Sequence, residues 1–283
     1  MQELWTIGRI LKWTEQYFKQ KNIESPRLDA EVLLSHILGR ERIYLYVHFD
    51  EPLEPTELAR YREAIKQRVQ RVPVAYIIGE KEFMGLTFKV TADTLVPRPD
   101  TEILVQAAVE RLRARGEAPR FADIGTGSGA ICLSVLHFLP KAQADTVDIS
   151  PAARAIAEEN AAALEVADRV TFHTGDLLAP LAGSYDAILS NPPYIPDDDI
   201  AALAPEVRLK EPHTALAGGK DGLDFYRRLT ADAPALLKDG GFLALEVGIH
   251  QAAPVAALAV PSFSRTEILK DYAGIERVVI AWK

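Results

Sequence analysis

The sequence predicts an α/β protein, a mostly parallel sheet with helices on both faces and an antiparallel last strand, preceded by a small helical bundle and a β-hairpin. Three observations carry this prediction. Apolar residues recur at helical spacing through residues 7–69, a short stretch about Gly85 alternates with a period of two, and from Arg120 onward strand-like and helix-like runs alternate. The last pattern is that of a parallel sheet joined by crossover helices.

A chain of 283 residues can hold two domains with a core in each, and 48% hydrophobic with 25% charged residues is ordinary globular composition. Cys132 is the only cysteine, which excludes an internal disulfide and a cysteine-built zinc site. Flanked by Ile131 and Leu133, it reads as a small core residue. The six histidines show no ligand spacing, so no metal is expected. No apolar run is long enough to span a bilayer, and Met1-Gln2-Glu3-Leu4-Trp5 has no basic start, so the expectation is a cytoplasmic chain without membrane contact. Of the net charge of −8, residues 1–94 contribute nothing, with 14 basic and 14 acidic side chains, against 18 basic and 26 acidic in 95–283. Gripping nucleic acid by its phosphates calls for the opposite bias, and none is expected as a direct partner.

The first helix follows from Ile7, Ile10, Leu11, Thr14, Tyr17 and Phe18 on one face. A second is bounded by Ser25 as N-cap, Pro26 at the first position and Gly39 past the end. A third runs from near Thr56 through Val69 to Pro73, while Ile43–Val47 is apolar but too short to assign. These make a bundle over residues 1–73. Residues 74–94 form a linker whose Lys81–Val90 stretch is a hairpin about Gly85, and a second domain occupies 95–283. Asp100 or Thr101 can cap the helix through Leu104, Val105, Ala108 and Leu112. The expected strands are Phe121–Ile124, Ala144–Asp148, Val170–Thr174, Ala187–Ser190, Phe242–Val247, Ser264–Leu269 and Glu276–Trp282, with helices over Pro151–Leu164 and Leu223–Leu237. Only Asp271–Ile275 separates the last two strands, so they should pair antiparallel.

The first four strands end in chemistry. Strand one runs into Asp123-Ile124-Gly125-Thr126-Gly127-Ser128-Gly129, where glycines let the backbone turn tightly and approach a ligand at a helix N-terminus. The third glycine comes one residue too early for the NAD fingerprint, and a glycine-rich turn alone is weak evidence. Strand two ends in Asp148, placed to accept both hydroxyls of a ribose; Ser150 is the better cap before Pro151. Strand three ends in Asp176, which could bond an adenine amino group, and Leu177, which could cover the ring. Strand four ends in Ser190-Asn191-Pro192-Pro193-Tyr194, where two prolines make a stiff loop that presents an amide and an aromatic ring. Taken alone that loop is equally an ordinary turn; all four in register at the ligand edge of a parallel sheet suggest a site.

The Asp123 to Gly129 turn with Asp148 resembles the nucleoside-binding half of the S-adenosylmethionine-dependent methyltransferases, and Asn191 to Tyr194 is similar to the signature of those that methylate a planar nitrogen. Pro73–Gly79, Leu95–Glu102, Glu211–Leu216, Gly218–Leu223 and Asp271–Arg277 resemble one family in particular, the release-factor glutamine methyltransferases, PrmC or HemK. That family often has Glu where Asp100 stands, a difference of one methylene. The resemblance spans nearly the whole chain. It implies a Rossmann-like class I methyltransferase sheet, with S-adenosyl-L-methionine held by Asp123, Gly125, Thr126, Gly127, Ser128, Gly129, Asp148, Asp176, Leu177 and Asn191. It also implies methylation at N5 of the glutamine in the Gly-Gly-Gln motif of peptide chain release factors, modulating translation termination.

A carboxamide nitrogen is a poor nucleophile because its lone pair is delocalised. Asn191 can accept one substrate N–H and the Pro192 carbonyl the other, with Pro193 stiffening the loop and Tyr194 packing on the amide plane. The alternative is a DNA or RNA adenine-N6 methyltransferase, which faces the same geometry but must extrude a base. Arg98, Glu206 and Glu211 are candidates to seat a protein substrate, though exposed charges are commonly just solvated.

Overall fold

In the computed structural model, which describes residues 4–283, the amphipathic start of the chain folds into α1 (Ile7–Gln20), α2 (Pro26–Leu38), α3 (Arg42–Val47), α4 (Pro55–Val69) and α5 (Val74–Ile78). Met1, Gln2 and Glu3, part of the expectation about a leader, lie outside the described residues. The α1 face is buried as its spacing requires, at Ile7, Ile10, Leu11, Thr14 and Phe18. Gly39 ends α2 in the left-handed conformation, φ +61°, that favours glycine. Ser25 occupies the N-cap of α2, but its side chain makes no capping hydrogen bond. The unassigned Ile43–Val47 run is helical as part of α3, and residues 74–78, expected in the linker, form α5.

The chain then forms the hairpin β1 (Glu80–Phe83) and β2 (Leu86–Lys89), turning through Met84 and Gly85 at φ +54° and +73°. After α6 (Glu102–Arg115) come β3 (Arg120–Ile124), α7 (Ala130–Phe138), β4 (Gln143–Asp148), α8 (Pro151–Ala163), β5 (Val170–Thr174) and β6 (Tyr185–Ser190). Next are α9 (Pro205–Lys210), α10 (Asp224–Leu236), β7 (Leu237–Glu246), α11 (Ala252–Ala259), β8 (Arg265–Lys270) and β9 (Glu276–Trp282).

Two compact units result: residues 4–79 with Ala204–Lys210, and Glu80–Leu203 with Glu211–Lys283. In the first, Ile7, Leu11, Phe18, Leu33, Leu34, Tyr61 and Ile65 form one core, and Arg68 bonds Asp29 at 2.7 Å and Glu206 of α9 at 2.8 Å. In the second, the sheet order is β5-β4-β3-β6-β7-β9-β8. The five strands from β5 to β7 are parallel, and β9 runs antiparallel to both neighbours, as its short connection to β8 demanded. Alternate residues serve opposite faces: Phe121, Leu189, Phe242 and Ile280 pack in one core, Ala122, Ile188, Leu243 and Val279 in the other. Strand order reverses between β3 and β6, which places a ligand crevice at the C-terminal ends of those two strands. Among the described residues no helix is long and apolar enough to cross a membrane.

Candidate active site

A cavity of about 470 Å³ lies at that switch point. Its walls include Gly125 and Gly127 after β3, Asp148 at the end of β4 with Ile149 after it, Asp176 and Leu177 after β5, and Asn191 and Pro193 after β6. Four of the predicted strand ends therefore converge, as their register required. Residues 92–95, His213 and Phe225 also line it. A depression of about 490 Å³ near Met84, Val109 and Phe138 lies away from these strand ends.

The glycine turn is shaped by backbone geometry. Gly125, Gly127 and Gly129 have φ +82°, +54° and +83°. A Cβ at Gly127 would meet nothing within 4 Å, so the space over this turn is open to a ligand. At Gly129 a Cβ would stand 2.7 Å from Leu133 Cδ1, which ties the turn closely to α7. Asp148 braces the turn: its Oδ2 accepts the Gly127 N–H at 2.8 Å and its Oδ1 the Ser150 N–H at 2.8 Å. Ser150 Oγ in turn accepts the Ala153 N–H at 3.2 Å, so Ser150 is the cap of α8 as expected. Asn160, which the sequence reading missed, donates to the Ser128 carbonyl at 2.8 Å and fixes the turn from α8.

Asp123, Thr126, Ser128 and Gly129 lie outside the cavity lining. Strand alternation explains Asp123: Ile124 faces the cavity, so its neighbour faces the other side of the sheet, fully buried. Neither Asp123 oxygen has a hydrogen-bond partner, and burial pushes its carboxyl well above the usual carboxylate range. Thr126 is held below by Thr146, with hydroxyls 2.6 Å apart. Asp176 is exposed and pairs with Arg228 at 2.6 Å, while Leu177 beside it holds a positive φ of +48°. Such a conformation in a non-glycine residue marks a position that surrounding structure enforces.

Asn191 leads a loop clamped on its far side. The Ile195 N–H donates to the Leu216 carbonyl at 3.0 Å, and the Gly218 N–H to the Ile195 carbonyl at 2.8 Å. Gly218 is packed so closely that a Cβ there would lie 2.8 Å from Tyr194 Cα and 2.9 Å from the Pro193 carbonyl oxygen. The Tyr194 carbonyl accepts from Gln251 Nε2 at 2.9 Å. Pro192 and Tyr194 do not line the cavity: Pro192 is buried, and the Tyr194 ring packs against the core on the α10 side. Burial, with the nearby Glu246 charge, pushes the Tyr194 hydroxyl up to about 12.

Thr101 does not cap α6 with its side chain; its Oγ1 accepts from Asn191 Nδ2 at 3.3 Å. With its nitrogen so engaged, the Asn191 amide keeps its oxygen for a ligand. Arg98 and Glu211 are paired at 2.5 Å, with the Glu211 side chain only 2% exposed, so this pair is part of the loop scaffold. Glu246, also missed, is buried beside Thr101 and Asn191, and its carboxyl is pushed up to about 7, chiefly by burial.

Residues 9–79 match the family described as the PrmC N-terminal domain, and residues 99–219 match the methyltransferase small domain. A release factor glutamine methyltransferase of Geobacter sulfurreducens is 47% identical over 283 residues, covering 98% of this chain and 96% of its own. One of Moorella thermoacetica is 47% identical over 264 residues, covering 92% of this chain and 93% of its own. The crystal structure of a methyltransferase from Pyrococcus furiosus shares the fold, with TM-score 0.57 at 19% identity over 77% of this chain and 98% of that one.

Proposed function

The chain belongs to the release factor glutamine methyltransferase family, and we propose that it methylates N5 of the glutamine in the Gly-Gly-Gln motif of peptide chain release factors. The relatives favour this protein substrate over the adenine-N6 alternative. The observation that carries the mechanism is the fixed amide of Asn191, on a clamped loop at the edge of the cavity that Gly127 and Asp148 also line.

The cofactor is S-adenosyl-L-methionine, and the residues present fit it: an open glycine turn, an acid at the second strand end, and apolar cover from Ile149 and Leu177. When bound, it supplies a methyl group on a positively charged sulfur and leaves as S-adenosyl-L-homocysteine. In this reading Asp148 takes the ribose hydroxyls, its carboxylate having lone pairs beyond those used by Gly127 and Ser150. Asp176 takes the adenine amino group with the oxygen not paired to Arg228.

Asn191 Oδ1 and the Pro192 carbonyl accept the two N–H groups of the substrate amide. They turn its nitrogen lone pair toward the methyl and stabilise the positive charge that develops on nitrogen. Pro192 and Pro193 hold the loop stiff, and Tyr194, its ring packed against the core on the α10 side, anchors the loop from behind. No general base is needed before transfer, because the extra proton becomes strongly acidic afterwards and leaves to water. Residues 1–73 are assigned to recognition of the release factor body, 74–94 to the connection and 95–283 to transfer. Direct nucleic-acid contact forms no part of this reading, which sets the reaction in the cytoplasm.

The test is methyl transfer from labelled S-adenosyl-L-methionine to purified release factor, beside its Gln→Ala variant in Gly-Gly-Gln and an adenine-containing DNA and RNA set. Label on the wild-type factor alone is expected. Label on nucleic acid with none on the factor would overturn the substrate. A truncation beginning at Glu80, which keeps the hairpin and residues 92–95 of the cavity wall, should lose activity on the intact factor, and full activity would remove the role given to residues 1–73.

A further inference from the structure

Glu246 ends β7, the strand beside β6, and is 2% exposed. The parallel register pairs Ser190 with Leu245, so the next residues along, Asn191 and Glu246, stand side by side at the sheet edge. Thr101 joins them: its Oγ1 accepts from Asn191 Nδ2 at 3.3 Å, and both side chains lie near enough to the Glu246 carboxyl to lower its pKa. A hydroxyl has one proton to give, so accepting from Asn191 leaves that proton for Glu246. The carboxyl oxygen Oε2 of Glu246 is buried without a partner. Burying a carboxylate so incompletely satisfied costs stability, and such costs are commonly kept where function needs them.

We propose that Glu246 is a positioning residue: as the acceptor that terminates the chain Asn191–Thr101–Glu246, it holds the Asn191 amide with its oxygen toward the substrate glutamine. The proposal rests on the reading of Asn191 given above. An ionised carboxylate can only accept, so it sets the direction of every hydrogen bond in the chain and draws the Asn191 NH2 group inward. A protonated Glu246 can donate instead. The chain then loses its direction, and Asn191 can present N–H groups to the N–H groups of the substrate, which repel.

The charged and titratable groups facing Glu246 come from several elements. Asp100 precedes α6 and raises its pKa, while Arg277 of β9 lowers it. Tyr194 and Tyr226 also stand close, and Tyr226 donates to the Glu246 carbonyl at 2.8 Å. With the carboxyl near neutrality, kcat of the wild-type enzyme should rise as pH increases through about 7.

The experiment follows kcat and KM of the full-length enzyme, with unmodified release factor and labelled S-adenosyl-L-methionine, from about pH 6 to about pH 9, a window spanning the neutral range. Glu246→Gln is expected to lower kcat by roughly tenfold or more, the scale of a misplaced reacting group. It should also flatten the rise through neutrality while leaving the cofactor Kd unchanged. Thr101→Val should show the same loss, and Thr101→Ser should recover it. Wild-type kcat with an unaltered pH profile in Glu246→Gln overturns the proposal.

Asn191→Ala separates the two layers of the argument. If it is slow while Glu246→Gln is normal, only the relay fails; if Asn191→Ala itself turns over normally, the role of Asn191 fails and the relay with it. Should Glu246→Gln not fold, Thr101→Val decides, since normal kcat there breaks the same chain one link nearer the amide.

Discussion

Glu31 in the helical unit and Glu246 in the sheet unit are both buried glutamates, 1% and 2% exposed, and they are treated in opposite ways. Glu31 is surrounded by donors: Arg27, Arg42 at 2.7 Å and the Tyr46 hydroxyl at 2.6 Å. Burial alone would raise its pKa, but the hydrogen bonds from Tyr46, Arg42 and Arg27 outweigh it and hold the group below the usual glutamate range. Glu246 is also raised by burial, but Thr101, Arg277 and Asn191 offset too little, and the group stays near neutrality with one oxygen unpartnered. These two glutamates are equally buried and differ in the completeness of their donor sets, so stability and turnover should respond to the two residues in different ways.

The largest effect belongs to the group that Glu246 serves. Asn191→Ala should fold and, with cofactor saturating, lose on the order of 10² to 10³ in kcat, about 3–4 kcal/mol of barrier and the scale of one preorganised hydrogen-bonding group. Single-turnover rates measured at saturating cofactor give the number. A loss confined to KM for the release factor would mean that Asn191 only binds.

Glu246→Gln should move stability and activity in opposite directions. The folded-state pKa of Glu246 lies above its unfolded value, so the stability it contributes is fully present below about pH 4.5 and is lost as pH rises through about 7. A glutamine escapes that loss. At about pH 8 the variant should be more stable than wild type by something of the order of 1–2 kcal/mol, while turning over more slowly, and the two should converge in mild acid. Thermal unfolding of both proteins across pH checks the sign; a variant less stable at high pH would mean that the carboxylate is better satisfied than its neighbours indicate.

What the sequence revealed of this site follows the same division. The glycines, Asp148, Asp176, Leu177, Asn191 and Pro193 stand at strand ends, and strand ends can be found from alternation and turn residues, so their convergence was legible. Asp123 was legible as part of the motif but not in its direction, which depends on the parity of one strand residue. Glu246 was hidden by its setting in Phe242–Val247, read as a buried strand, although a lone acid at the ligand edge of such a strand was the available signal. Thr101 passed as a helix cap because the side chain it bonds, Asn191, lies 90 positions away in sequence. Ile43–Val47 was ambiguous because a five-residue apolar run fits either period, and only packing at Leu45 resolves it.

Glu31→Gln should act on stability alone. It weakens hydrogen bonds from two arginines and a tyrosine, but Arg27 and Arg42 are 36% and 48% exposed and regain water. A loss of about 1–2 kcal/mol is expected, with kcat unchanged. Because the folded pKa of Glu31 is lowered, its contribution is present above the unfolded value and is lost as pH falls through the folded one. The deficit of the variant should therefore be widest near neutrality and close in acid, whereas Glu246→Gln gains with rising pH. Parallel curves for the two variants would break the comparison.

The smallest effect should come from an acid that is neither buried nor orphaned. Asp176 and Arg228 are 56% and 48% exposed and pair at 2.6 Å, so water screens both the pair and its loss. Arg228→Ala should change stability by no more than about 0.5 kcal/mol. Asp176 keeps its place at the cavity without Arg228, because Leu177 and Gly175 fix the backbone there, the latter through the Gly175 N–H bond to the Asp148 carbonyl at 3.0 Å. The affinity for S-adenosyl-L-homocysteine, measured by calorimetric titration, should then fall by less than roughly threefold, a fraction of a kcal/mol. A tenfold loss would mean that Arg228 holds Asp176 in the one orientation adenine can use, and that an exposed pair here has the positioning role reserved above for a buried one.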